Sequence, residues 1–85
     1  MEDNLIFKFD KLTLEEQQCK LFLKISQELT DILVWREEWQ KMEEEGDDPE
    51  RRAALIQRIR EGSKKIRKMD KMDRGTLKKI FLKRI

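Results

Sequence analysis

The stretch Gly46-Asp47-Asp48-Pro49 decides how this chain folds, because it holds the clearest break between two helical patterns. Gly46 can end a helix in a left-handed backbone conformation, which glycine adopts without steric cost. Asp48 can cap the next helix, and Pro49 suits its first position, where no backbone N–H is needed. A connection this short predicts that the two flanking helices are antiparallel neighbours.

The first helix is predicted to run from about residue 14 to about residue 45. Thr13-Leu14-Glu15-Glu16 has the form of a capping box, in which two backbone donors at a helix start are satisfied. The apolar residues that follow recur mostly at a spacing of three or four, and their stripe is wider than a coiled-coil seam. A helix of this length would extend about 48 Å.

The second helix is predicted over about residues 49–72, with Gly62 inside it. An interior glycine costs a helix about 1 kcal/mol relative to alanine, so a packing reason is expected, with Trp35 as the bulky neighbour. Asp73-Arg74-Gly75-Thr76 forms a second break. After it, Leu77, Ile80 and Phe81 share one face, which predicts a short third helix or bent extension over about residues 75–84.

Residues 1–12 are predicted to be an extended lead-in. The apolar run at residues 5–9 is too short to classify by its period, and we expect it to pack an aromatic ring against the body. A swapped edge strand in a dimer is the alternative. We therefore predict an all-α fold with a single helical domain over residues 1–85. The domain is expected to be a long antiparallel hairpin with a short third helix or bent extension, and to form an oligomer.

The charge of the chain is divided between its halves. Residues 1–50 carry six Lys/Arg and fifteen Asp/Glu, a net charge of −9, whereas residues 51–85 carry fourteen and three, a net charge of +11. Such a division indicates mutual neutralisation or a polyanionic partner. In the predicted hairpin, acids face bases at matching heights, with Glu37 near Arg58 and Asp31 near Lys64. Much of the basic half would then be neutralised within the fold.

Composition excludes several classes of site. With 38% hydrophobic and 45% charged residues, one cysteine and no histidine, the chain has no intramolecular disulfide and no conventional zinc site. No cofactor is predicted, and the absence of histidine and of a glycine-rich phosphate loop argues against an enzyme. No stretch is apolar enough to span a membrane, and no basic signal region opens the sequence. A cytoplasmic location is expected, or a nuclear one in a eukaryote.

Association is predicted because a core of this size is marginal and no disulfide or metal supports it. We therefore expect a non-enzymatic helical interaction module, such as an adaptor, a chaperone-like protein or a regulatory subunit, that self-associates or docks on a helical protein partner. A homo-oligomer is expected first, because the wide flank of the first helix would otherwise stay uncovered. The predicted interface consists of the bulky apolar residues on that flank, namely Phe22, Leu29, Leu33, Trp35 and Trp39. Tryptophan is enriched at binding hot spots, although core packing is the more frequent role of such residues.

The alternative function is nucleic-acid binding through the basic second half. Lysine and arginine neutralise phosphates without reading sequence, and the bases considered for this role are Lys64, Lys68, Lys71, Lys78, Lys83 and Arg84. No RNA-binding aromatic signature or helix-turn-helix pattern accompanies them. Cys19, beside Leu21 and Phe22, is predicted to be a buried and unreactive thiol.

Two family resemblances lie in the predicted helices. Ser26-Gln27-Glu28-Leu29 resembles the core motif of small sporulation-regulator phosphatases of the Spo-zero-E type, which are two-helix hairpins. In that family aspartate follows, where this chain has Thr30, and the motif lies on the second helix. The run from Leu29 through Ile59 is similar to the helical hairpin of flagellar export chaperones, but the break at Gly46–Pro49 and the basic second half depart from it. Neither family is adopted.

Overall fold

Six helices follow one another along residues 2–46 and 48–83, the parts of the chain that the computed structural model describes; the side chains of residues 2–5 are outside that description. They are α1 (Glu2–Lys11), α2 (Leu14–Ile25), α3 (Thr30–Glu45), α4 (Pro49–Gly62), α5 (Ile66–Met69) and α6 (Arg74–Lys83). The all-α prediction is confirmed for these residues. The longest helix has 16 residues, and none is both long and apolar enough to cross a membrane.

The predicted extended lead-in is wrong, because its described residues form α1. A short apolar run does not distinguish a strand from a helix, and here tertiary packing decides between them. Phe9 is fully buried, and its ring stacks on that of Phe81 in α6, with centroids 4.2 Å apart. The expectation that an aromatic ring anchors this segment to the body is therefore confirmed.

Helix α2 is the centre of the fold and packs against α3, α4, α5 and α6. Its capping box forms as predicted, with the Glu16 N–H donating to Thr13 and the Thr13 N–H donating to Glu16. Two buried amides then satisfy carbonyls of neighbouring segments. Gln17 donates to the carbonyls of Phe9 and Leu12, and Gln18 donates to that of Met69 at 2.8 Å. These contacts tie α1 and α5 to α2.

The single helix predicted over residues 14–45 is also wrong, because α2 ends at Ile25 and α3 begins at Thr30. The Ser26 N–H donates to the carbonyl of Phe22 in the last hydrogen bond of α2. Leu29 then has an extended backbone (φ −86°, ψ 137°). No glycine or proline marks this turn, so the sequence pattern carried no stop signal. The turn folds the wide apolar flank inward, so that Ile32 and Trp39 reach the same core as Leu21 and Leu23.

Helices α3 and α4 lie on either side of the predicted break and pack against each other. Gly46 has a φ of +108°, a conformation that favours glycine. Asp48 accepts hydrogen bonds from the N–H groups of Glu50 and Arg51, and Pro49 takes the first helical position, as expected. Asp47 lies outside the described residues. The predicted pairing of Gly62 with Trp35 is confirmed, since a Cβ on Gly62 would collide with the indole ring.

The second helix is shorter than the predicted span of 49–72, because α4 ends at Gly62 and the Ser63 backbone is extended (φ −138°, ψ 117°). The Ser63 hydroxyl accepts the N–H of Lys65, which forms the turn into α5. The predicted break near residue 73 is confirmed, and Asp73 accepts the N–H of Thr76 at the start of α6. That hydrogen bond holds the pKa of the Asp73 carboxyl below its ordinary value.

One core collects side chains from all six helices. The long hairpin would have exposed the flank of its first helix, whereas the turns at Ser26–Leu29 and Ser63 bring these faces together. The radius of gyration of the Cα atoms is 12.0 Å, the value expected for one domain of this length. Among the described residues, six helices thus replace the predicted long hairpin with a short third helix or bent extension.

Candidate functional site

The predicted interface residues divide between the core and the surface. Phe22 and Trp39 are each 3% exposed and belong to the core. Trp35 is half-buried against Gly62. Leu29 and Leu33 are 61% and 44% exposed. The sequence pattern placed all five on one flank, but the turn between α2 and α3 separates them.

A groove of about 460 Å³ brings three of these five residues together, namely Phe22, Leu29 and Trp35. One wall is the turn from α2 into α3, and the other is the connection from α4 to α5. Gly62 allows the indole of Trp35 to lie against α4, and this contact closes the floor of the groove. Three apolar residues at the N-cap and in the first two turns of α3 are exposed, and we call Leu29, Leu33 and Val34 the α3 patch.

Leu29 occupies an unusual position for a leucine. It is the N-cap residue of α3, and its side chain makes no capping hydrogen bond. Serine, threonine, aspartate or asparagine at an N-cap contributes about 0.5–2 kcal/mol relative to an apolar residue. The side chain is also mostly exposed, so it contributes little to the core. Neither local helix stability nor burial therefore explains a leucine at this position.

The rim of the groove carries both signs of charge. Asp31 lies on the α3 side, while Lys64 and Lys65 lie on the side of the α4–α5 connection. All three are exposed. Within residues 6–46 and 48–83, none of them has an ion-pair partner within 4 Å, so the predicted pairing of Asp31 with Lys64 is absent. The groove thus combines an apolar floor with unpaired charges at its edge.

The acidic half does pair with the basic half, but mostly not through the predicted partners. Arg51 approaches Glu45 at 4.0 Å across the break. Among the described residues, the other cross-half ion pairs use acids from the first two helices: Glu16 with Arg52, Glu15 with Arg60, and Asp10 with Lys78. Burial distinguishes them, since the side chains of Glu16 and Arg52 are 10% and 19% exposed, whereas the others are nearly half exposed.

The bases predicted to contact a polyanion are distributed over α5, α6 and the turns beside them. Lys64, Lys68, Lys71 and Lys83 are exposed, and Lys78 instead pairs with Asp10 at 3.0 Å. Arg84 lies outside the described residues. Lys65 and Arg67 are also exposed and lie next to Lys64 and Lys68 in the sequence, but they were not among the predicted contacts. We call Lys64, Lys65, Arg67, Lys68 and Lys71 the basic segment.

The prediction of a buried, unreactive Cys19 is confirmed. Its side chain is fully buried in α2, and burial raises the pKa of the thiol to about 12, with the Glu15 carboxylate adding to the effect. A thiol with so high a pKa forms almost no thiolate at neutral pH. In the part of the chain that the structure describes, no three histidine, cysteine, aspartate or glutamate side chains form a group that could hold a metal ion.

Comparison of the chain with protein-family models, with curated proteins and with solved structures found no match.

Proposed function

We propose that this chain is a non-enzymatic helical interaction domain that associates with a second copy of itself through the groove and the α3 patch. The observation that carries the proposal is Leu29, an exposed leucine at an N-cap where a polar residue would stabilise the helix. Residues that contradict local folding preferences tend to mark functional sites. A binding role accounts for this leucine, because burial of its side chain against a partner would offset the stability that the helix loses by having no capping hydrogen bond.

Charge complementarity favours a second copy as the occupant. The same rim carries Asp31 on one side and Lys64 and Lys65 on the other, and none has an ion pair within the described ranges. In a twofold dimer each surface meets its own copy, so Asp31 of one chain can face the two lysines of the other. Burial of Leu29, Leu33 and Val34 would supply the hydrophobic part of the association.

Sedimentation velocity of the full chain and of a Leu29→Asn variant tests this proposal. Asparagine is a good N-cap, so at a concentration where both chains are monomeric the variant should unfold at a higher temperature than the wild type. At higher concentration the variant should fail to dimerise. We expect the wild type to be dimeric at about 100 μM, as a micromolar Kd requires. Leu82→Asn is the matched control, because Leu82 is 41% exposed on α6 and does not line the groove.

Two results would contradict the proposal. A wild-type chain that sediments as a monomer at this concentration rules out self-association and leaves a different helical protein as the occupant of the groove. Equal weakening of the dimer by Leu29→Asn and by Leu82→Asn would show that the interface does not centre on the groove.

A second function, polyanion binding, is favoured by the basic segment. Its five residues are exposed, and no carboxylate lies within 4 Å of them among residues 6–46 and 48–83. The acids of α3 therefore do not neutralise these bases, although the predicted hairpin had placed them opposite one another. Phosphate binding by such a segment is insensitive to sequence and weakens steeply with salt.

A gel-shift experiment with duplex DNA and single-stranded RNA tests the second function. We expect a shift at about 50 mM salt that is lost near 200 mM. The double variant Lys68→Gln/Lys71→Gln should weaken the shift, whereas Lys41→Gln, which removes an exposed lysine of α3, should not. No shift at the lower salt concentration would exclude this function.

A further inference from the structure

A second cavity, of about 210 Å³, lies between α2 and α3 and is bounded on its third side by α6. It shares no lining residue with the groove. Its apolar surface comes from Leu23, Trp39 and Phe81, which are each at most 3% exposed and therefore form a preorganised wall. This volume is below that of drug-sized pockets and suits a ligand of about one aromatic ring with a single substituent.

Among the described residues, three cations converge on this cavity, from Lys20, Lys24 and Arg36, and the one acid that lines it is Glu43. That acid is already engaged, because its Oε1 accepts from Lys20 Nζ at 2.5 Å and from the indole N–H of Trp39 at 2.9 Å. One lysine is thus neutralised, and the two remaining cations leave the cavity with a net charge of +2.

Neither Lys24 nor Arg36 has a carboxylate within 4 Å among the described residues. Lys24 Nζ lies 4.3 Å from the centroid of the Phe81 ring, and Arg36 donates to the side-chain amide of Gln27. A cation over an aromatic face and a neutral amide partner both leave the positive charge uncompensated. The cavity therefore offers two cationic donors next to an apolar wall.

The fold keeps Lys24 charged at an energetic disadvantage. Partial burial lowers the pKa of its ammonium group, and the nearby charges of Arg36 and Lys20 lower it further. A protonated Lys24 is consequently less favourable in the folded chain than in the unfolded one, which predicts that an uncharged residue here stabilises the fold. Charges held against such a penalty are characteristic of binding sites.

We propose that this cavity binds a phosphate monoester that carries a small aromatic or apolar group. The phosphate would lie between Lys24 and Arg36, and the apolar group would lie against Leu23 and Trp39. A phosphate monoester has a charge of about −1.5 to −2 at neutral pH, which matches the net charge of the cavity. The bidentate geometry of guanidinium suits phosphate oxygens, and the lysine adds a point charge.

Phenyl phosphate is the probe for this site, and the indole N–H signals in a proton–nitrogen NMR spectrum are the readout. The chain has two tryptophans. Trp39 lines the cavity and Trp35 lines the groove, so one indole signal reports the site and the other is an internal reference. We expect a saturable shift of the Trp39 signal with a Kd of about 1 mM or tighter. Inorganic phosphate should bind more weakly than phenyl phosphate, and phenol should not shift the Trp39 signal.

The variants are Lys24→Met and Lys41→Gln. Methionine keeps an apolar chain over Phe81 but removes the charge, so this variant should be at least as stable as the wild type and bind phenyl phosphate about tenfold more weakly. Lys41→Gln removes an exposed lysine of the same helix as Arg36, outside the cavity, and should leave the Kd unchanged. Because the site and the groove share no residue, this test is independent of the oligomeric state.

Three outcomes would overturn the proposal. The first is a Trp39 signal that does not move at about 10 mM phenyl phosphate, which is tenfold above the expected Kd. The second is an equal shift with phenol, since the charge would then play no part. The third is an unchanged Kd in Lys24→Met, which would place the binding elsewhere.

Discussion

Replacing Gly62 with alanine sets two known effects against each other. Removal of a glycine from a helix stabilises it by up to about 1 kcal/mol. Here, however, the new Cβ would lie 3.2 Å and 3.3 Å from Cζ3 and Cζ2 of Trp35, and closer still to Cη2. Overpacking typically costs about 1–3 kcal/mol. Trp35 is half-buried and its ring can move outward in part, so we expect Gly62→Ala to destabilise the chain by about 1 kcal/mol net.

The sign should reverse when the indole is removed. In a Trp35→Leu background the space beside Gly62 opens, and Gly62→Ala should then stabilise the chain by up to about 1 kcal/mol. The difference between the two backgrounds is a coupling energy of about 2 kcal/mol, within the range for residues in direct contact. Urea unfolding followed by far-ultraviolet circular dichroism gives the free energy of unfolding of the wild type, of each single variant and of the double variant. This double-mutant cycle does not rely on tryptophan fluorescence.

Gly75→Ala is the matched control for this cycle. Gly75 lies in the first turn of α6, and the nearest side-chain atom to a Cβ there is Asp73 Oδ1 at 3.6 Å, an ordinary contact. This substitution should stabilise the chain to a similar extent in both backgrounds. If Gly62→Ala were stabilising in the wild-type background, as Gly75→Ala is expected to be, the contact with Trp35 would not be the reason for a glycine at this position.

Three further predictions concern the core and its ion pairs. Phe9→Ala should lower the free energy of unfolding by about 3–5 kcal/mol and expose α1 to amide hydrogen exchange, because the ring stack that docks this helix is lost; unchanged protection of α1 would contradict this. Glu16→Gln should lower the free energy of unfolding, measured by thermal unfolding, by about 1.5–3 kcal/mol, because the partner of Glu16 is mostly buried. Glu15→Gln should lower it by less than about 1 kcal/mol, because that ion pair is exposed. Equal losses in the two variants would refute this distinction. The Cys19 thiol has its pKa raised from 9.0 to about 12, so its contribution to stability is complete below pH 9 and is lost as the pH rises toward 12. Cys19→Ala should therefore flatten the decline in stability over that range, and labelling of the native thiol as fast as that of the unfolded chain would rule out its burial.

Local signals in the sequence determined where several helices begin and end. The capping box at Thr13, the break from Gly46 to Pro49 and the start of α6 near Asp73 all rest on hydrogen bonds within four residues. Such bonds depend little on distant parts of the chain, so their residue types are readable directly. The burial of Cys19 and the contact between Gly62 and Trp35 were also predictable, because each follows from side-chain size and apolarity.

The candidate site was predictable only in part. Leu29 and Trp35 were singled out from their position on the wide apolar flank, and the structure places both in one groove. Phe22 and Trp39 belong to the same flank in sequence but are buried, because the chain turns between them. The cationic cavity could not be predicted, since Lys20, Lys24 and Arg36 come together only when α2 packs against α3.

The sequence by itself determined an all-helical chain, its main break and the separation of an acidic from a basic half. Only the tertiary structure decided that residues 26–29 form a turn, that α1 is a helix, and which acid meets which base. The physical reason is that none of these features carries a local signal. Each is selected by the burial of a shared core, in which α2 is surrounded by neighbours and two glutamines on it satisfy the carbonyls of other segments.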